Sequence, residues 1–450
     1  FKIRVAIADV AHYVRPGSPL DREARRRGNS VYFPDRVLPM LPHALSSDLC
    51  SLRPGQDRAC LTVLMRIDAD GRKLDHRFER GLMRSAARLT YEEVQAAADG
   101  DADGKAAPLL DLVIRPLYEA FRALLKARRQ RGTLDLDLPE TTVEIGPDGL
   151  PSGVGARARL DSHRLIEEFM ILANVAAAEA LEAVGAPCMY RIHDRPDPIK
   201  LEALSDLLER FGLPGRRGTL GRPKDLARLL ERVREHELAP QISTLVLRAQ
   251  SQAQYAPRNI GHFGLNLGRY AHFTSPIRRY ADLVVHRALI GALRLGDGGL
   301  REAADEDWVE LGAHLSRTER RAMEAERGAL ARFIALFMEG RLGARFEGTI
   351  TGVQRFGLFV QIDGLMADGL IPVRSLGREF FVHDLRHHAL VGESSGTAYV
   401  LGDRVTVELA DADPLTGQLG FELIAHAPGP AAALAKKAGR RRPARIARRR

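Results

Sequence analysis

At Gly343 the hydrophobic period of the chain changes, and no single run of one secondary structure can satisfy both sides of that change. Upstream, Trp308–Glu339 carries its apolar residues at helical spacing. Downstream, Arg345–Val353, Phe356–Ile362, Gly369–Val373, Arg404–Ala410 and Gln418–Ile424 read as short strands separated by turns. A helix repeats about every 3.6 residues and a strand about every 2, so the switch marks a domain boundary. The five strands are the number an OB-type barrel uses. Phe356 and Phe359 bracket one of them. Barrels of this kind stack bases on such aromatics, although the spacing equally suits two core residues. From Ala431 onward the chain is Ala, Lys and Arg, a composition that forms no core and suits non-specific phosphate contacts. The expected organisation is α+β: a mixed body over 1–340, a barrel over 343–426 and a disordered basic tail over 427–450.

The body alternates hairpins and helices. Phe1–Asp9 reads as a strand, followed by a helix over Leu20–Arg27 that Gly28 closes. Proline-rich Val31–Pro34 and Val37–Pro42 read as an ordered loop without regular structure. A hairpin spans Ala59–Arg84 around Asp70-Gly71, and Thr90 caps a helix that begins at Tyr91. Leu109–Arg131 reads as an amphipathic helix, Leu134–Leu138 as a half-exposed strand and Thr141–Val154 as a second hairpin. Asp161 is expected to cap a long helix from Arg164 to about Val184, with Glu167 and Asn174 on one polar flank.

Net charge is +9 and the pI is near 9.7, so polyanions, nucleic acid first, are the expected partners. Cys50, Cys60 and Cys188 show neither paired nor metal-ligand spacing, which fits reduced core thiols in a cytoplasmic protein. No uninterrupted apolar run is long enough to span a bilayer.

Chemistry concentrates in His262–His286. Ser275-Pro276 reads as a helix start, with Ile277, Tyr280, Leu283 and Val284 following at helical spacing. Arg278 and Arg279 then fall in the first turn, where the helix dipole is already positive. Two guanidiniums beside free backbone N–H groups make a phosphate site. The same pattern also suits a surface helix with Arg on its solvent face. Asp282 and His286 could ligate a metal, but a structural Asp–His pair is the preferred reading, and His262 and His272 read as packed or hydrogen-bonded.

The stretch His262-Phe263-Gly264-Leu265, Tyr270, Phe273–Asp282 and His286 resembles the signature of the RNB exoribonuclease family. Val5–Val10, Gly28–Pro34, Leu38–Pro42, Ser162–Glu168 and Met189–His193 match further blocks in family order, and the barrel resembles an S1-type RNA-binding domain. The resemblance implies removal of nucleotides one at a time from the 3′ end of RNA, releasing 5′-monophosphates by Mg²⁺-assisted hydrolysis. It implies a monomer that takes single-stranded 3′ ends, those of structured RNA included, and no membrane partner.

Residue by residue, the resemblance makes Arg278 the group that grips the scissile phosphate and Arg279 an auxiliary phosphate or structural contact. Tyr32 matches the aromatic that closes the base stack and sets the length of the final product. Tyr91 and Glu167 match the pair near the ribose 2′-OH, and Glu326 a late acidic residue near the reaction. Two positions depart from the pattern. Leu136 stands where relatives place a Phe that stacks on the 3′ base, and Pro372 where many S1-type domains carry a His. The family's metal-binding aspartates cluster just upstream of the Val5–Asp9 strand, so the expectation is that the chain is a fragment with that cluster lying before Phe1. No metal ligand is assigned within the chain, and Asp9 is not a substitute. A non-catalytic RNA-binding protein that keeps the channel and barrel is the alternative.

Overall fold

The computed structural model describes residues 1–428 apart from 137–139, 211–212, 214, 216–217, 237, 301–306 and 385–387. Of the expected tail, Ala427 ends the last barrel strand, and residues 429–450 lie outside the described residues.

Strand β1 (Lys2–Ala8) leads into the one-turn helix α1 (Val10–Tyr13), which Asp9 caps by accepting from the His12 N–H. Helix α2 (Pro19–Arg27) follows the Ser18 N-cap and ends at Gly28. Short strands β2 (Val31–Tyr32) and β3 (Val37–Leu38) pair, so the proline-rich segment holds regular structure after all. The two-residue ladder is as long as Pro34 and Pro39 allow, because proline has no N–H to donate. Strands β4 (Asp57–Ile67) and β5 (Lys73–Arg84) form the expected hairpin, and the first sheet has the order β1-β4-β5. In its register Val5 faces Val63 and Ile7 faces Leu61, placing one apolar side on the core.

Helix α3 (Tyr91–Asp99) begins in a capping box between Thr90 and Glu93, and α4 (Arg115–Arg131) continues from a π turn over Leu110–Ile114. The described part of the expected strand Leu134–Leu138 is irregular. Leu134 and Leu136 pack instead into a cluster with Leu204, Leu208 and Leu226, and that burial outweighs the alternation of the sequence. Leu136 therefore serves a helical core. Strands β6 (Glu140–Ile145) and β7 (Pro151–Arg157) make the second hairpin. Helix α5 (Asp161–Ala183) has Leu160 at its N-cap, so Asp161 is the first helical residue and not the cap.

Strand β8 (Tyr190–Ile192) precedes helices α6 (Pro198–Arg210), α7 (Pro223–Val233) and α8 (Ala239–Ala249), which share the leucine cluster, and β9 (Gln254–Ala256) pairs back with β8. Helices α9 (Tyr280–Ala292) and α10 (Trp308–Glu339) complete the body. The main core joins β1 and β4 to α5 and α9, with Ala176, Ala177, Leu181, Leu283 and Leu289 fully buried.

The barrel closes through β10 (Arg345–Gln354), β11 (Gly357–Ile362), β12 (Asp368–Pro372), β16 (Arg404–Asp413) and β17 (Gln418–Ala427), in the order β10-β11-β12-β17-β16. All five expected strands are present. Between β12 and β16 a separate sheet of β13 (Phe381–Asp384), β14 (Ala389–Gly392) and β15 (Ala398–Val400) was not anticipated. Ala335 and Met338 at the end of α10 pack into the barrel core, so that helix ties the two domains together.

Candidate functional site

The Arg278 segment is a turn and not a helix. The Ser275 carbonyl accepts from the N–H groups of Arg278 and Arg279 at 3.2 and 3.0 Å, and α9 begins only at Tyr280. Arg279 is extended, with φ −135° and ψ 123°, because it forms a bridge with Asn29. The Ser30 N–H donates to the Arg278 carbonyl at 3.0 Å, and the Tyr280 N–H donates to the Gly28 carbonyl at 2.9 Å. Partners from the far end of the chain thus take the backbone groups that a helix start at Ser275 needs.

The neighbouring arginines separate completely. Arg279 directs Nε and Nη2 at the two oxygens of Asp282, at 2.8 and 2.9 Å. Burial opposes its charge, but the fully buried Asp282 carboxylate outweighs that and raises the guanidinium pKa. Arg279 is therefore committed to Asp282, which matches the structural of the two roles the resemblance offers for it. Arg278 is exposed, and its side chain has no hydrogen bond or ion pair among the described residues.

Asp282 and His286 do not pair with one another. Asp282 also accepts from the Ser275 N–H at 2.7 Å, while His286 Nε2 donates to the Phe273 carbonyl at 2.7 Å and its ring stacks on Phe273. Each fastens a different part of the 273–279 segment to α9. Behind it, the buried Asn174 accepts from the Phe273 N–H at 2.8 Å and donates to the Tyr270 hydroxyl at 3.0 Å. The polar flank expected for Glu167 and Asn174 is therefore enclosed at its Asn174 end. His272 contacts the Tyr255 hydroxyl at 2.8 Å; burial first, then Arg279 and Arg191, pushes its pKa well below the ordinary histidine value. A neutral imidazole with a bonded Nδ1 is a packing group, as the sequence suggested.

Segment Gly28–Tyr32 links Arg278 to α10. Gly28 has φ +74°, and a Cβ there would lie 2.1 Å from Thr318 Oγ1, so both conformation and contact demand glycine. Two turns further along α10, Glu326 accepts from the Tyr32 N–H at 2.7 Å. Tyr32 itself is 47% exposed. One short segment therefore brings together Arg278, Tyr32 and Glu326, which are far apart in the chain.

Tyr91 and Glu167 form a second group. The Tyr91 ring stacks on His163 at 4.1 Å and 23°, one helical turn before Glu167 on α5. Glu167 lies 3.3 Å from Arg128 and 2.8 Å from Arg159, one arginine to each oxygen. Arg128 is buried, bonded to the buried Glu168 at 2.5 Å; burial raises the Glu168 carboxyl pKa against the pull of Arg128. Sequence reading missed Arg128, Asp135 and Arg159. The only local signal was a high density of charge beside apolar residues, which does not name partners.

On the barrel, Phe356 and Phe359 are 56% and 37% exposed and meet edge to face at 6.0 Å. They are surface residues, which removes the core alternative. No group of three or more His, Cys, Asp or Glu among the described residues could hold a metal ion. Asp9 is committed to Arg80 at 2.5 Å and to its capping bond. These residues do not fit a metal centre of their own. Among the described residues, no helix is long and apolar enough to cross a membrane.

The RNB domain family matches residues 1–295 and the S1 RNA binding domain family residues 340–422. Ribonuclease R of Escherichia coli strain K12 is 41% identical over 434 residues, covering 94% of this chain and 53% of that protein. Ribonuclease R of Aquifex aeolicus is 42% identical over 425 residues, covering 94% and 60%. The chain spans little more than half the length of these relatives. Among solved structures, Mycoplasma genitalium RNase R in complex with ribose methylated single-stranded RNA is similar with a TM-score of 0.90 at 28% identity, over 94% of this chain and 67% of that one.

Proposed function

The chain belongs to the RNB family, and from that premise we propose that it acts in a ribonuclease R-type exoribonuclease that degrades RNA processively from the 3′ end. The product is a 5′-nucleoside monophosphate: water adds to phosphorus, and the bond to the 3′ oxygen of the preceding nucleotide breaks. The observation that carries this reading is the guanidinium of Arg278, without a partner among the described residues, on a turn clamped by Asp282, Ser30 and Asn174. The clamp fixes the backbone that carries Arg278 and leaves its guanidinium available to neutralise charge as it builds on the phosphate oxygens. Tyr32 closes the base stack, Tyr91 and Glu167 face the ribose 2′-OH, and Glu326 acts near the reaction. Phe356 and Phe359 hold upstream bases on the barrel.

Mg²⁺ is the cofactor expected for the family's hydrolysis. The described residues supply no ligand set for it, so no hydrolytic step is assigned to them alone, and the 450-residue chain by itself is proposed to bind RNA without robust release of mononucleotides. The test is incubation of the full-length gene product with 5′-labelled single-stranded RNA and Mg²⁺. Stepwise shortening from the 3′ end with accumulation of 5′-monophosphates is expected. Tight binding without release would instead leave an RNA-binding protein on this fold.

A further inference from the structure

The carboxylate proposed to face the ribose does not stand alone. Glu167 projects from α5 between two arginines from different segments: Arg128 on α4 and Arg159 on the link from β7 to α5. Asp135 accepts from the same pair, at 3.4 Å from Arg128 and 3.5 Å from Arg159, with Arg164 at 3.6 Å. Arg128 is anchored by the buried Glu168, so its position is fixed by the core. Arg159 is the shorter contact to Glu167, at 2.8 Å against 3.3 Å, and its side chain is one-third exposed.

This arrangement has a directional consequence. An ionised carboxylate accepts and cannot donate, and a bonded arginine on each oxygen restricts its rotation. The lone pairs left over point along fixed directions, which suits a hydroxyl donor at one position and offers nothing to a sugar that lacks it. On the other side, the stack of His163 on Tyr91 holds the ring at the N-terminus of α3. His163 Nδ1 accepts from the Leu160 N–H at 3.2 Å, so its ring too is held.

We propose that Arg159 is the positioning residue for sugar recognition, orienting Glu167 so that the site favours ribose over deoxyribose. The proposal rests on the reading of Tyr91 and Glu167 as the ribose-facing pair. Arg159 acts through Glu167 and touches neither the phosphate nor the reacting atoms. Asp135, within 3.5 Å of both arginines, belongs to the same charged network.

The test is equilibrium binding, by fluorescence anisotropy in metal-free buffer, of two 5′-labelled single-stranded oligonucleotides. They share one sequence, and one carries 2′-deoxy sugars at its 3′-terminal nucleotides. The unaltered chain is expected to prefer the all-ribose oligonucleotide by about tenfold, the scale of one hydrogen bond to a charged group. Arg159→Ala is expected to bring that preference close to unity, Arg159→Lys to restore most of it, and Asp135→Asn to give a partial loss. Thermal unfolding of each variant separates misfolding from loss of discrimination. Equal weakening of both oligonucleotides by Arg159→Ala would make Arg159 a phosphate contact and overturn the proposal. Full preference retained in Arg159→Ala would overturn it as well, with the ribose-facing role of Glu167 intact. Absence of any preference in the unaltered chain would instead refute the underlying reading of Glu167.

Discussion

The backbone N–H of Tyr32 donates to Oε1 of Glu326 at 2.7 Å, across 294 residues of chain. Glu326 therefore holds a segment whose exposed aromatic ring is proposed to end the base stack. Its carboxylate fixes the backbone at Tyr32. Glu326→Ala is expected to cost only about 0.5–1.5 kcal/mol in stability, since water replaces the lost acceptor at an exposed amide. The end product of RNA digestion by the full-length protein should nevertheless change in length, as it should in Tyr32→Ala. A denaturing gel of the limit digest checks both. An unchanged limit product in Glu326→Ala would separate it from Tyr32.

Adjacent arginines should give opposite phenotypes. Arg278→Ala removes an exposed group with no partner among the described residues, so unfolding by denaturant should be nearly unchanged while kcat falls by about 10²–10³, the scale for losing one donor to a developing oxyanion. Arg279→Ala strands the fully buried Asp282 carboxylate and should destabilise by about 3–5 kcal/mol. Urea titrations and single-turnover rates on both variants test the pair. Comparable destabilisation in the two would contradict the separation.

Asn174→Ala leaves the Phe273 N–H without its acceptor in a buried position. A loss of about 1–3 kcal/mol is expected, with activity falling further than RNA affinity because the Arg278 turn loosens. Hydrogen exchange at the Phe273 amide provides a direct local readout.

Acid should unfold the body partly through its histidines. Burial first, then His193 and Arg191, pushes His262 down to about 3, whereas an unfolded histidine titrates near 6.5. Between those values the unfolded chain binds a proton that the folded chain refuses, so stability falls as pH drops from about 6.5 toward about 3. The slope is up to about 1.4 kcal/mol per pH unit for a fully shifted histidine. Above about 6.5 both states are neutral and the contribution is flat. His262→Gln should reduce the slope measured by urea unfolding across that window, and an unchanged slope would remove His262 from the account.

Phe356→Ala and Phe359→Ala should leave barrel stability almost intact, since both rings are substantially exposed. RNA affinity should drop by about 1–3 kcal/mol for each base that loses its stacking partner. Isothermal titration with single-stranded RNA is the measurement. Wild-type affinity in both variants would show that this face does not stack bases.

Much of the fold was legible in local pattern. The capping box at Thr90, the closing Gly28, the hairpin around Asp70-Gly71 and the span Trp308–Glu339 depend on interactions between chain neighbours, and the five barrel strands show in the local hydrophobic period although their pairing is long-range. The family signature likewise named Arg278, Glu326, Tyr32, Tyr91 and Glu167 as one candidate set. Tertiary structure decided what each side chain is free to do. Ser275-Pro276 looks like a helix start, yet Asn29, Ser30 and Gly28 take the backbone partners of 278–280 and postpone the helix to Tyr280. Leu134 and Leu136 alternate with aspartates as a strand does, yet a leucine cluster from α6 and α7 claims them. Arg278 and Arg279 are chemically identical neighbours, and only the buried Asp282 three residues on, held in place by α9, separates a structural cation from an available one. Local sequence sets backbone preference, whereas the availability of a charge depends on which distant partner packing brings within bonding distance.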